Sequence, residues 1–318
     1  MRRFTHTDLE SEVLEVMIGE HCTRIEVLPR MGANLVSLRV EGRELIHFDP
    51  AGVLREPSHM TGCFQMFPTP CLLTGGRYTF GGREVVQRKR GADYPSHGLV
   101  RDETFAITKT DAELTARLEW GEGDPVYEGF PWEGSLTTVF RPLARGLEIT
   151  WVFENRSSSP APAGYGLHPF WVIPGDRADV SVKVPADYRF ALVDYESQTP
   201  TGKLIPVGGT HYDLRDWRSL EKLDTDDIFW PKPAQEEAGV AYWSEGIRVA
   251  IQCSDNMRHL VCYSPMGRPF VCVENLSCAP DAHNLHTTGR EEMAGLAIVA
   301  PGEKLEGWVR YQVEPITG

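Results

Sequence analysis

Four stretches of the chain set titratable side chains among aromatics, prolines and glycines. The first is Pro95-Ser96-His97-Gly98-Leu99-Val100-Arg101-Asp102. A histidine beside a glycine leaves room for another molecule to come close, although the dipeptide alone reads better as a turn with an exposed imidazole. The second is Gly164-Tyr165-Gly166-Leu167-His168-Pro169-Phe170-Trp171. The proline biases His168 toward extended backbone, as at a strand end. An imidazole amid Tyr165, Phe170 and Trp171 would be partly desolvated, in surroundings where a sugar ring can stack. A satisfied core histidine fits that stretch equally well. The third is Asp224-Thr225-Asp226-Asp227-Ile228-Phe229-Trp230, three carboxylates running into aromatics. It reads as a solvated acidic turn. A calcium loop is rejected, because the sharp-turn glycine and the distal glutamate are missing. The fourth is Phe270-Val271-Cys272-Val273-Glu274-Asn275-Leu276. Here Glu274 ends an apolar run, and a carboxylate at the end of a buried strand is costly unless paired or used.

One imidazole and one carboxylate on separate strands are the minimum for paired acid–base work. They do not by themselves name a substrate. A Ser-His-Asp hydrolase is the obvious competitor, but the chain has no G-x-S-x-G elbow and no helical pattern to build that fold. No G-x-G-x-x-G or P-loop is present, so no nucleotide cofactor is implied. His283 and His286 lie three apart in a Gly/Thr/Asn-rich loop and read as surface histidines rather than metal ligands. No metal or organic cofactor is expected.

Short alternating segments must carry these residues. Arg24 to Leu28, Asn34 to Val40, Leu147 to Phe153 and Gly307 to Val313 alternate with the period of half-buried strands. Further strands are expected at Thr104 to Thr108, Leu114 to Trp120, Leu136 to Arg141, Val180 to Val184, Ile247 to Cys253 and Leu260 to Ser264. Turn signals separate them, among them Glu41-Gly42, Gly81-Gly82, Arg145-Gly146 and Pro301-Gly302. A single short helical turn is expected at Arg215 to Leu220. Asn155 to Ala163 and Pro231 to Gly239 read as loops within one domain spanning residues 1–318. The pattern predicts an all-β sandwich or barrel.

The bulk numbers bound the partners. The 318 residues carry 32 basic and 45 acidic side chains, a formal charge of -13. Such a surface repels phosphate backbones, so nucleic acid is not an expected partner. The seven cysteines are odd in number and sit mostly in apolar runs such as Val271-Cys272-Val273. They read as buried thiols in a reducing cytoplasm rather than a disulfide framework. The first residues carry no apolar signal region, and no run reaches the length of a membrane span, so no membrane association is expected.

Taken in order, the motifs resemble the aldose 1-epimerase (galactose mutarotase-like) family over nearly the whole chain. The resemblance rests on Val27-Leu28-Pro29-Arg30-Met31-Gly32-Ala33-Asn34 with Gly42-Arg43-Glu44, then Gly76-Arg77-Tyr78-Thr79-Phe80-Gly81-Gly82, His97-Gly98, His168-Pro169-Phe170-Trp171, Asp226-Asp227-Ile228-Phe229 and Val271-Cys272-Val273-Glu274-Asn275. It implies a large twisted antiparallel β-sandwich with a sugar cleft across one sheet. It also implies interconversion of the α and β anomers of a hexose or hexose derivative. His168 would then be the general acid and Glu274 the general base. His97 would bind near the ring oxygen and Asp226 would hold hydroxyls; Trp171 is expected at the substrate from the aromatic stretch around His168 itself.

The chain departs from the family pattern in three places. Pro70-Cys71-Leu72-Leu73-Thr74 stands where relatives carry an Asn-Arg pair, Asn275 follows Glu274 in place of proline, and His-Pro-Phe-Trp replaces the more usual His-x-Tyr-Phe. These changes keep the acid–base pair and leave the sugar open. The lost arginine motivates a non-catalytic sugar-binding alternative, and a lyase or hydrolase acting on a sugar is a weaker one. Arg101, four residues after His97, resembles the hexose-6-phosphate branch, with Arg77, Arg83, Arg88, Lys89 and Arg90 as further cations. Arg88-Lys89-Arg90 itself reads better as a solvated loop. The expected partner is a small-molecule sugar, and the expected assembly a monomer or homodimer.

Overall fold

The structure is a computed structural model that describes residues 3–56, 58–87, 97–194 and 198–316. Among these residues the strands form an eleven-stranded and a nine-stranded antiparallel sheet, with two small two-stranded ribbons. The two large sheets pack as a β-sandwich. Alternation explains it: each central strand turns one set of side chains to the opposing sheet and the other set outward.

The inner set makes one core whose buried residues run from Leu14 to Val313. Trp151 stacks on Tyr165 at 4.2 Å, and Trp171 meets Tyr311 edge-on at 4.9 Å. Each such buried side chain contributes roughly 1.5–3 kcal/mol by leaving water. The outer set of the eleven-stranded sheet makes a second, smaller cluster that includes Phe64, Met66, Phe170, Ile228, Val261, Cys272 and Leu276. An outward-facing apolar cluster needs a cover, and a floor with polar groups in it becomes a groove.

The expected strands are present: Asn34–Val40, Leu114–Trp120 and Ile247–Cys253 keep their expected bounds, His21–Leu28, Gly134–Leu143, Gly146–Asn155 and Lys304–Pro315 run longer, and Ala106–Lys109, Val180–Lys183 and His259–Tyr263 are shifted or trimmed by one or two residues. The helical turn expected at Arg215 to Leu220 is instead a short strand, Arg218–Ser219, followed by a 3-10 turn at Leu220–Lys222. Ser219 caps that turn by accepting from the Glu221 N–H, which fixes where it starts. The loop after Asn155 gives way to a short strand at Ala161–Ala163, which pairs with Ala297–Val299. All seven cysteines are free thiols and six are buried. No helix among the described residues is long and apolar enough to cross a membrane.

Candidate active site

Two strands lie side by side in the middle of the eleven-stranded sheet: Gly166–Val172, which carries His168, and Phe270–Leu276, which carries Glu274. Neither residue sits at a strand end as expected; both are inside. Their register pairs Leu167 with Asn275 and Phe170 with Cys272, which sets His168 opposite Glu274 on the same face. The ladder between these strands skips residues 168 and 169. Pro169 has no N–H to donate, so a gap there costs no hydrogen bond of its own. On its far side His168 pairs with Phe64, and on its far side Glu274 pairs with Val261.

The result is a close pair. His168 Nε2 lies 3.3 Å from Glu274 Oε1, and both side chains are almost fully buried. Phe170 stacks on the imidazole at 4.6 Å, and Phe64 lies 4.8 Å away. Glu274 Oε2 and His168 Nδ1 are buried without a hydrogen-bond partner among the described residues. Burial drives both groups toward neutrality: the Glu274 carboxyl is pushed well above the usual carboxylate range, with the Asp226 charge adding to the effect. His168 is pushed down to about 3 by burial and, second, by the Arg101 charge.

A cavity of about 260 Å³ opens over the pair, lined by His97, His168, Asp226, Glu274, Gln198 and Tyr263 with apolar Met60, Cys71, Leu72 and Val261. His97 is half-buried on this wall rather than an exposed turn residue. Its ring meets His168 edge-on at 5.2 Å, and its Nδ1 lies 3.2 Å from Met66 Sδ. Gly98 does serve close approach, but to this chain itself: a Cβ there would lie 2.3 Å from the Phe67 carbonyl oxygen. With φ of 72°, the position suits glycine on both counts.

The three clustered carboxylates go different ways. Asp224 is exposed. Asp227 is buried, accepting from Arg189 Nη1 at 2.8 Å and from the Thr225 hydroxyl at 2.6 Å. Asp226 opens the strand Asp226–Trp230 on the groove face, opposite Tyr263. Burial raises its carboxyl to about 6, against a hydrogen bond from Gln198 that lowers it.

Two expected site residues lie elsewhere. Trp171 has opposite strand parity to His168 and therefore faces the inter-sheet core, fully buried against Tyr311. It does not line the groove. Arg101 is 2% exposed, with its guanidinium 5.5 Å from the Phe64 ring centroid and 3.4 Å from Asp102. It reaches the pair through its charge and is absent from the cavity wall. Arg77 is largely exposed and pairs with Glu84, while Arg88, Lys89 and Arg90 lie outside the described residues. His283 is not a surface histidine: it is buried, 3.1 Å from the Pro162 carbonyl oxygen, and packed on Tyr78. Among the described residues no three His, Cys, Asp or Glu side chains gather as metal ligands would.

The groove also holds residues that the sequence did not single out. Tyr263 and Val261 follow from the alternation of a strand already expected there, Tyr263 as the partner of Asp226. Gln198 and Met60 sit outside strands, and nothing periodic marks them. Cys71, in the stretch that lacks the arginine, takes a left-handed φ of 56° and accepts from the His97 N–H through its carbonyl.

The chain is similar to known proteins over most of its length. The chain is 23% identical over 295 residues to the uncharacterized protein YihR of Escherichia coli, covering 89% of each. It is 22% identical over 182 residues to the maltose epimerase of Levilactobacillus brevis, covering 52% of each. Among solved structures it resembles an aldose epimerase homologue from C. elegans (TM-score 0.79, 15% identity, 97% of this chain and 100% of that one). A putative aldose 1-epimerase from Escherichia coli is similar at TM-score 0.78 and 17% identity, over 96% of this chain and 100% of that one. The aldose 1-epimerase family model matches residues 20–312, and the chain belongs to that family.

Proposed function

We propose that the protein is an aldose 1-epimerase that interconverts the α and β anomers of a neutral hexose or close relative, with His168 and Glu274 as the proton-transferring pair. The observation that carries this reading is the 3.3 Å contact between the two side chains on the floor of a groove. Mutarotation asks for two proton transfers at neighbouring oxygens on one carbon. The Glu274 carboxylate takes the proton of the anomeric hydroxyl as the bond between C1 and the ring oxygen breaks. The His168 imidazolium gives a proton to that ring oxygen, leaving an open-chain aldehyde. Rotation about C1–C2 turns the other carbonyl face to the ring hydroxyl, and both transfers then run backward.

The electrostatics suit a pair that keeps one proton between them. Burial favours the proton on Glu274 and a neutral His168. Passing it to His168 gives the carboxylate and imidazolium without exchange with solvent. Hydroxyls of a bound sugar can donate to Glu274 Oε2, which has no partner among the described residues, and so stabilise the charge-separated form. Asp226 and Gln198 supply further contacts for hydroxyls, and His97 lies beside His168 near the ring oxygen.

A phosphorylated sugar is less well matched. Arginine forks and lysines recognise phosphate, and the described wall of the groove has neither. Polarimetry across a panel of neutral and phosphorylated aldoses tests the reading. Acceleration with at least one neutral sugar, lost in His168→Ala, is expected. A rate that His168→Ala leaves intact overturns the assigned roles.

A further inference from the structure

Away from the groove, a cavity of about 510 Å³ lies at one end of the nine-stranded sheet. Its walls come from the loop after Trp230 (Lys232, Gln235 and Glu236), from the end of the strand Ile247–Cys253 with the turn that follows (Gln252 and Asp255), and from Trp308 of the last strand. The register sets Gln252 opposite Arg310, so Gln252 and Trp308 share the outward face of that sheet.

Lys232 is the telling residue. It is 2% exposed, and among the described residues its ammonium makes one hydrogen bond, to the Pro233 carbonyl oxygen at 3.0 Å. An ammonium carries three donors, and a buried one left short of acceptors is costly. Acceptor oxygens of a ligand would recover that cost. The rest of the wall narrows the ligand class. Glu237 is engaged by Arg248 and Gln252, whereas Glu236 and Asp255 are exposed carboxylates at the rim. A simple anion would meet those two carboxylates, and a simple cation would meet Lys232. A neutral polyol satisfies both, since each hydroxyl donates and accepts. The indole of Trp308 offers an apolar surface of the kind a pyranose C–H face covers.

We propose that this cavity is a second, non-catalytic site that binds a neutral saccharide. The ligand class follows from the lining alone and holds whether or not the groove turns over a sugar. The test uses the full chain labelled with 5-fluorotryptophan, observed by fluorine NMR, with the Trp308 signal identified by Trp308→Phe. The probes are methyl β-D-glucopyranoside and methyl β-D-galactopyranoside, whose anomeric centres are locked. Titrated to about 100 mM, well above a millimolar Kd, one of them is expected to shift the Trp308 signal saturably. The shift survives His168→Ala and is lost in Lys232→Met. Should Lys232→Met disturb the sugar-free spectrum, Gln235→Ala at the exposed rim decides, with a Kd raised about 5-fold for one lost hydrogen bond. The proposal is overturned if neither glycoside gives a saturable shift, if His168→Ala abolishes it, or if it persists unchanged in the substitution that decides.

Discussion

Two buried polar residues on opposite faces of the eleven-stranded sheet, Gln65 and Glu274, are accommodated in different ways. Gln65 faces inward. Its carbonyl oxygen accepts from the Thr138 hydroxyl at 2.5 Å and the Tyr165 hydroxyl at 3.0 Å, and its amide donates to the Gly32 carbonyl at 3.0 Å. Glu274 faces the groove from a strand two positions across the sheet, equally buried, yet one of its oxygens has no partner among the described residues. The inner residue is neutral and satisfied, so it fixes how the sheets lie on each other. The outer one is titratable and under-satisfied, which destabilises the fold unless a ligand completes it. A site is legible here as the place where the sheet leaves a charge-bearing group unfinished.

The sharpest break in that comparison comes from the pair itself. Glu274→Gln and His168→Ala are each expected to slow anomer exchange roughly 10² to 10⁴-fold, the usual scale of one acid or base. The same Glu274→Gln change should stabilise the protein. The carboxyl is held above the usual range in the folded state, so ionisation there opposes folding at neutral pH. The gain in Tm over the parent should therefore shrink as the pH falls toward the ordinary carboxylate pKa of about 4.3, and be gone below it. On the inner face the outcome is opposite in kind. Trp171→Ala is expected to cost about 3–5 kcal/mol of stability, read by urea unfolding, because the indole fills the inter-sheet core.

Asp226 should give an intermediate effect. Asp226→Asn is expected to raise KM about 10-fold for the loss of a charged acceptor, with little change in kcat. In the parent, KM should rise as the pH falls through about 6, where this carboxyl gains its proton. The Asn variant should lack that limb. The smallest effect concerns the pH dependence of kcat. With His168 held down to about 3 and Glu274 held up, the pair keeps its one shared proton across the mildly acidic range. A flat kcat there, with an alkaline limb only, is expected from a pH series.

Much of this architecture could be read from alternation. Asn34 to Val40 and Leu147 to Phe153 announce half-buried strands, and the acid–base candidates stand out as polar residues in apolar runs. What alternation cannot supply is register. Pro169 pointed to a strand end, but the strand runs through it, because its missing N–H falls where the ladder is already open. Trp171 drew attention as an aromatic near His168, yet three residues along a strand reverse the face. Asp226 and Asp227 look equivalent in sequence, and their opposite orientations decide that one meets the groove and the other Arg189. Gln198 comes from a segment without periodicity, and only the folded chain brings it to Asp226.

The central claim is that the His168–Glu274 pair performs the exchange. Two-dimensional NMR exchange between the α and β anomeric signals of unphosphorylated aldoses, with parent and Glu274→Gln protein side by side, tests it most directly. The account predicts enhanced exchange with the parent for at least one sugar, and exchange slowed at least about 100-fold with Glu274→Gln although that sugar still binds. Undiminished exchange in the variant, or no enhancement by the parent with any sugar it binds, would contradict it.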